Sequence, residues 1–309
     1  MAEQLQDQSV EHLLGAVIRK AIEQSVSDHL GRTWRIDPKG VRDMIDFASH
    51  PAAILSDNSY SVFVKLYKGN LAHDQFTREL AGLRLLTERS GVRTPVVIAH
   101  LQVKGGSLGV MEAVQMVERQ PLHWRQMGEA LARVHSAKWD RYGFDTYCYW
   151  GSLYVDNTPS NDWPEFFWAH RIAPRLKAAV DSGNLPLALG VAQQVDSLEP
   201  RIQDLCGQKL EPTLLHGDAQ QNNILSTADG PILIDSAIYY GHPEVDLAFV
   251  DFFAPVSDEL FRGYEAVTPI DPGFYQRRDF WRLPALLAMV ELDGPRNVPR
   301  LVEALRRYI

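Results

Sequence analysis

Apolar positions along the chain fall into two regimes. From Ser9 to Leu30, the residues Val10, Leu13, Leu14, Val17, Ile18, Ala21 and Ile22 return at helical spacing and predict one helix with a single apolar face. After Trp34 the period shortens. The pieces Met44–Ala48, Ala52–Leu55 and Ser61–Tyr67, separated by polar turns such as Ser56-Asp57-Asn58-Ser59, predict antiparallel strands with short connections. In the last of them Val62, Val64 and Leu66 share one face, and Phe63, Lys65 and Tyr67 share the other. Helical spacing returns over Asp74–Arg89, with Phe76, Leu80, Leu83 and Thr87 as its inner stripe and Gly91 placed to stop it. Val96–Ile98 and Gly109–Met111 predict two more strands, and Glu112-Ala113 leads out of the sheet.

From Leu122 onward helices dominate. Met127, Leu131 and Val134 space one, Trp163–Val180 holds another and Leu187–Leu198 a third. A strand-like island interrupts over Thr213–Asp235, where the Thr227-Ala228-Asp229-Gly230 turn separates two short apolar runs. Helical pattern resumes from Glu244. The chain thus divides into a small β-rich part, residues 1–115, and a mostly helical part, residues 116–309, with the junction near Glu112–Pro121. No internal repeat or low-complexity tract appears.

Composition narrows the classes of function. The 309 residues carry 31 Lys and Arg against 39 Asp and Glu, a net charge of −8, which argues against nucleic acid and anionic membrane as partners. An anionic substrate remains open if local lysines, helix N-termini or a metal supply positive charge. Two cysteines, Cys148 and Cys206, cannot make a disulfide framework or a four-cysteine zinc site, so a reducing cytoplasm is expected. The first thirty positions lack the continuous apolar core of a signal peptide, and no stretch approaches a membrane span.

The chemistry concentrates in His216-Gly217-Asp218-Ala219-Gln220-Gln221-Asn222-Asn223, followed by Ile232-Leu233-Ile234-Asp235. Apolar Leu214-Leu215 feed a loop carrying His, Asp and Asn, and a hairpin then returns the chain so that Asp235 can lie beside Asn223. Carboxylate and amide oxygens suit Mg²⁺, which keeps waters and substrate phosphates in its shell. The remaining carboxylate, Asp218, is free to take a proton from a hydroxyl.

An Asp with Asn five positions on, then an apolar strand ending in Asp, resembles the catalytic loop and metal-binding Asp of the aminoglycoside phosphotransferase and protein-kinase-like superfamily. Within it, the chain is similar to the fructosamine kinase (ketosamine 3-kinase) family. The resemblance rests on Gly143-Phe144, Trp150-Gly151-Ser152-Leu153 and Asn161-Asp162-Trp163-Pro164-Glu165-Phe166-Phe167. It rests also on Tyr240-Gly241-His242-Pro243-Glu244-Val245-Asp246-Leu247-Ala248 and Pro269-Ile270-Asp271-Pro272-Gly273-Phe274, and it runs from about Ser9 to Gly294. It implies an α+β, two-lobed protein-kinase-like fold: a small antiparallel-sheet N-lobe, a helical C-lobe, and ATP in the cleft between them. It implies phosphorylation of a hydroxyl on a ketosamine, free or protein-bound, with ATP and Mg²⁺. It gives Asp218 the catalytic role, Asn223 and Asp235 the metal, Lys65 the α/β-phosphates and Glu79 the pairing with Lys65. Met111-Glu112-Ala113 would be the hinge that meets adenine. His216 and Asp246 are expected to brace the loop, and His242 to line the pocket. Trp150, Trp163, Phe166, Phe167 and Trp168 are either an aromatic substrate wall or core.

The chain also departs from that pattern. Family members carry Leu-Trp-x-Gly between the catalytic Asp and the Asn, where this sequence has Ala219-Gln220-Gln221-Asn222. No glycine stands between Val41 and Lys68, so Ser49-His50-Pro51-Ala52 occupies the turn that would cover phosphates. Two other readings stay open: a kinase of another small alcohol, such as an aminoglycoside, choline or a free sugar, and a catalytically inactive nucleotide-binding module. A protein kinase is disfavoured, because no activation segment fits between Asp235 and Gly241.

Overall fold

The computed structural model describes residues 15–44 and 50–309. The chain begins with α1 (Ala16–Leu30) and continues through β1 (Val41–Asp43), β2 (Ala52–Ser56), β3 (Ser61–Lys68), α2 (Ala72–Ser90), β4 (Val97–Val103) and β5 (Gly106–Glu112). The first turns of the helix expected from Ser9, and most of the strand expected over Met44–Ala48, lie outside the described residues. The strands form one antiparallel sheet in the order β1-β2-β3-β5-β4, so β3 runs through its middle. The alternation in β3 sets the layering. Val62, Val64 and Leu66 pack with Ile22, Val26, Trp34 and Ile36 into a core under α1. Full burial of such side chains stabilises by about 1.5–3 kcal/mol each. Phe63, Lys65 and Tyr67 take the opposite face, toward α2 and the rest of the chain.

Gly109 lets α2 approach that face. A Cβ at Gly109 would stand 2.2 Å from the Phe76 ring, so any side chain there would push α2, and Glu79 with it, away from Lys65.

After an eight-residue connection the chain enters α3 (Pro121–Ser136), then the hairpin β6 (Cys148–Trp150) and β7 (Leu153–Val155). The helix expected over Trp163–Val180 is broken into α4 (Trp163–Phe167), a π turn (Trp168–Ile172) and α5 (Ala173–Asp181). Pro174 has no N–H to donate to the preceding turn, and the wider turn absorbs the missing bond. Gly190, at φ 68°, likewise ends a short 3₁₀ turn before α6 (Val191–Asp196), where one helix was expected. After α7 (Ile202–Leu205) come β8 (Thr213–Leu215), β9 (Ile224–Thr227), β10 (Gly230–Leu233) and β11 (Tyr239–Gly241). β9 pairs with β10 across the expected turn, with Ile224 opposite Leu233, and β8 pairs with β11. The chain closes with α8 (Glu244–Phe249), α9 (Asp258–Glu265), α10 (Phe274–Trp281), α11 (Leu283–Asp293) and α12 (Val298–Leu305). One apolar core joins α3, the two small strand pairs and these helices.

Candidate active site

Lys65 projects from the centre of the sheet, 3% exposed. Its Nζ donates to Asp235 Oδ1 at 2.8 Å and to Glu79 Oε2 at 3.2 Å. The Tyr67 hydroxyl, on the same face two residues along, also donates to Glu79 Oε2. Burial opposes the charge on Lys65, but the Asp235 and Glu79 carboxylates outweigh it and hold the ammonium well above its ordinary range. Burial pushes Glu79 up to about 7, with Lys65 pulling it down and Asp235 adding to the rise. Burial acts on Asp235 in the same direction, yet the charge and hydrogen bond of Lys65 keep it below the usual carboxylate range. Lys65 therefore serves one firmly ionised partner, Asp235, and one that holds its proton near neutrality, Glu79.

Asp218 sits on the loop that leaves β8. The Asp246 carboxylate fixes this loop from below: its Oδ2 accepts the His216 N–H at 2.7 Å and its Oδ1 the Gly217 N–H at 3.0 Å. His135 reaches the same carboxylate at 3.1 Å. Burial lowers the His216 imidazole and keeps it neutral. A neutral ring suits its contacts, since Nε2 faces the Ile234 carbonyl at 3.0 Å and Nδ1 accepts the Asp218 N–H at 3.3 Å. Gly217 is required at this turn. Its φ is 79°, and a Cβ would stand 1.9 Å from the Ala237 carbonyl oxygen. On the other side Arg119 holds the Gln221 carbonyl at 2.7 Å and the Ile224 carbonyl at 3.1 Å, bracketing Asn223.

The Asn223 Nδ2 donates to the Asp218 carbonyl and to Asp218 Oδ2, both at 2.9 Å. That leaves its amide oxygen as the atom able to face a cation. Asp218 Oδ1 is buried without a hydrogen-bond partner of normal geometry among the described residues. Burial pushes this carboxyl up to about 7; Trp150, Gln220 and Asn223 pull against the rise, and the Asp235 charge adds to it. Asp235 has φ 52°, a left-handed conformation that Asp tolerates better than most residues. The Ile234 N–H to the Asn223 carbonyl and the Ala237 N–H to the His216 carbonyl, both 2.9 Å, hold the backbone on either side of it.

These groups lie between two cavities. One, of about 690 Å³, runs from Lys65, Glu79 and Asp235 to Phe63, Leu83, Met111 and Glu112. The other, of about 390 Å³, takes in the same three residues together with Asp218, Asn223, Trp150 and Gln220. The expected hinge needs refinement. Met111 and Glu112 line the larger cavity, but the N–H groups of Glu112 and Ala113 are already given to the Val96 and Ser61 carbonyls, at 2.9 and 3.0 Å. Val114 lines the cavity one residue further on. Of the expected phosphate-covering turn, Ser49 lies outside the described residues. The His50 ring lies tilted against that of Tyr67, centroids 4.1 Å apart, and burial together with the Lys65 charge lowers its imidazole to about 4.

The Asp235 carboxylate and the Asn223 amide oxygen are hard oxygen donors, the chemistry that fits Mg²⁺. Among the described residues no group of three or more His, Cys, Asp or Glu side chains could hold a metal ion on its own.

Lys65, Glu79, Asp218, Asn223 and Asp235 are thus brought together, and His216 and Asp246 brace the loop as expected. His242 does not line the cleft. It is 3% exposed, and its ring stacks on Trp281 at 5.1 Å. Trp150 alone of the five aromatic candidates lines the 390 Å³ cleft; Trp163, Phe166 and Phe167 are core, and Trp168 packs against it. Tyr67, Arg119 and the α11 face were missed. Tyr67 was legible from its period-two relation to Lys65. Arg119 had no local pattern to mark it.

Comparison with known proteins agrees with this geometry. The family model described as fructosamine kinase matches residues 18–309. A Vibrio parahaemolyticus protein named a probable ketoamine kinase is 30% identical over 277 residues, 89% of this chain and 93% of that one. A chloroplastic protein-ribulosamine 3-kinase of Oryza sativa subsp. indica is 32% identical over 240 residues, 76% of this chain and 68% of its own. Among solved structures, one from Thermobifida fusca that carries the name fructosamine-3-kinase superposes with a TM-score of 0.79 at 28% identity, covering 92% of this chain and 97% of its own. An aminoglycoside phosphotransferase bound to AMP-PNP and hygromycin B gives a TM-score of 0.61 at 12% identity, over 93% and 96% of the two chains, and shares the protein-kinase-like fold.

Proposed function

The chain belongs to the fructosamine kinase family, and from that premise we propose that it transfers the γ-phosphoryl group of ATP to a hydroxyl of a ketosamine. The observation that carries this reading is Asp218 in the lining of the 390 Å³ cleft, its Oδ1 buried and without a hydrogen-bond partner of normal geometry among the described residues, beside the Lys65–Asp235 pair that borders both cavities. An acceptor hydroxyl fits one side and a nucleotide the other.

Each residue then has one task. Lys65 sets its charge against the α/β-phosphates, and Glu79 with Tyr67 holds its direction. The carbonyls of the Met111-Glu112-Ala113 segment and the Val114 N–H meet the adenine edge. Asp235 and Asn223 would hold Mg²⁺, which when bound neutralises phosphate charge. Asp218 orients the acceptor hydroxyl and takes its proton as the phosphorus–oxygen bond forms. Positioning and charge compensation supply most of the rate in such transfers. We divide the lobes at residues 115 and 116. We place the enzyme in the cytoplasm, in keeping with Cys148 and Cys206, both buried and unpaired. No helix among the described residues is long and apolar enough to cross a membrane.

A coupled ADP-release screen over fructosamines, ribulosamines, aminoglycosides, choline and simple sugars tests the reading. Ketosamines should raise ADP release above the hydrolysis background. Inert ketosamines beside an active aminoglycoside or sugar would overturn it.

A further inference from the structure

One wall of the acceptor cleft is a single helix face. Ala285, Ala288, Met289, Leu292 and Asp293 recur along α11 at helical spacing and all line the cleft. The first four are apolar. The last two stand at the outer end, where Leu292 is 57% exposed, and Phe253, 50% exposed, also lines this cleft. The mouth therefore offers two uncovered apolar side chains and one carboxylate.

The charges lining the cleft separate into used and unused. Lys65 is taken by Asp235 and Glu79, and Arg78 by Asp74 at 3.4 Å. Asp218 is left without a cation, and its task is the hydroxyl. Asp293 is the other carboxylate of the lining for which no ion pair is found among the described residues. It also stands at the C-terminal end of α11, where the helix dipole is negative and the last turn carries no basic residue. A carboxylate there lies against the negative end of the helix dipole, and a cation would complement both.

We propose that Asp293, with Leu292 and Phe253, is the subsite for the positively charged amine of the acceptor. The inference rests on the ketosamine reading above and sharpens it. A hydroxyl held at Asp218 leaves the sugar's amine pointing outward along α11. There Asp293 pairs with the ammonium, and the carbon next to the nitrogen covers Leu292 and Phe253. The site selects a cationic amine over a neutral substituent of the same shape.

Two acceptors differing only in that charge test it: N-propyl fructosamine and the propyl ether of fructose, with oxygen in place of the amine. Asp293→Asn should raise KM for the amine by about three- to tenfold, the scale of a partly exposed ion pair with dipole help. KM for the ether and for ATP should stay within about twofold, and Asp293→Glu should restore the amine. Added salt should shrink the difference. Amine and ether shifting together, or neither shifting, would overturn the proposal while leaving phosphotransfer to ketosamines intact. If neither compound turns over, calorimetric titration of both with a non-hydrolysable ATP analogue decides the matter. A preference for the amine that is lost in Asp293→Asn upholds the subsite even though the ketosamine reaction fails; no preference overturns it.

Discussion

Lys65 and Asp235 stand 170 positions apart in the chain and meet at 2.8 Å. The contact joins the middle of the N-terminal sheet to the end of the catalytic hairpin, so the two parts of the molecule are registered through the groups assigned to phosphate and metal. Glu79 is the softer partner, longer at 3.2 Å and raised to about 7. The lysine's position is therefore set mainly by Asp235, and Glu79 with Tyr67 keeps it from swinging.

Lys65→Ala should cut kcat/KM for ATP by about 100-fold or more, because it removes the buried cation that borders both cavities. Glu79→Ala should cost about tenfold, since it removes a guide and not the charge. Steady-state kinetics with varied ATP reads both. Lys65→Ala within about twofold of the parent would show the lysine to be structural.

Asp246 is a brace, and its loss should register in stability as well as in rate. It accepts the His216 and Gly217 N–H groups and faces His135, and it is 1% exposed. Asp246→Ala orphans these donors and should cost about 3 kcal/mol, visible in thermal denaturation. Asp246→Asn keeps one acceptor and should cost less. An unchanged melting temperature in Asp246→Ala would mean the loop holds itself.

His242 gives a pH prediction. Burial and the nearby Arg277 charge lower its imidazole to about 3. The folded state therefore binds this proton more weakly than the unfolded chain does, so stability is complete above the ordinary histidine value of about 6.5 and is lost as pH falls toward 3. At pH 5 the loss from this residue is about 2 kcal/mol by linkage. His242→Asn should flatten the fall in melting temperature between pH 7 and 5. An equally steep fall in the variant would assign the acid lability to other groups.

Much of this site was legible in the sequence because it is carried by short-range spacing. The Asp218–Asn223 interval and the hairpin to Asp235 are local, and the alternation around Lys65 gave its face. What stayed hidden depends on contacts between distant segments. The lining face of α11 reads as ordinary buried helix, since Leu283, Leu286 and Leu287 make it apolar all round. His242 reads as polar and therefore as a pocket residue, yet its ring stacks on Trp281. Met111 and Glu112 line the larger cavity, but which N–H groups of that segment are spent depends on the neighbours of β5, which no local pattern reveals.

The two loop aspartates should fail differently, and this discriminates most sharply among the assignments. Asp235 faces Lys65 and, with Asn223, the proposed metal. Asp235→Asn removes the ionised oxygen that both would use. Turnover should vanish and nucleotide affinity should no longer depend on Mg²⁺. Among the described residues Asp218 makes its only side-chain hydrogen bond of normal geometry through Oδ2, to Asn223, and Oδ1 is buried without such a partner. Asp218→Asn should leave Mg²⁺–ATP binding nearly intact while kcat falls by about 10²–10⁴-fold, the scale of lost general base catalysis. Its melting temperature should be unchanged or higher, because a buried carboxylate with an unpartnered oxygen is held for function at some cost to the fold. Calorimetric ATP titrations with and without Mg²⁺, run beside steady-state rates for both variants, separate the roles. Equal loss of Mg²⁺–ATP affinity in the two would make Asp218 a metal ligand, and the proton would then have to leave the acceptor by another route.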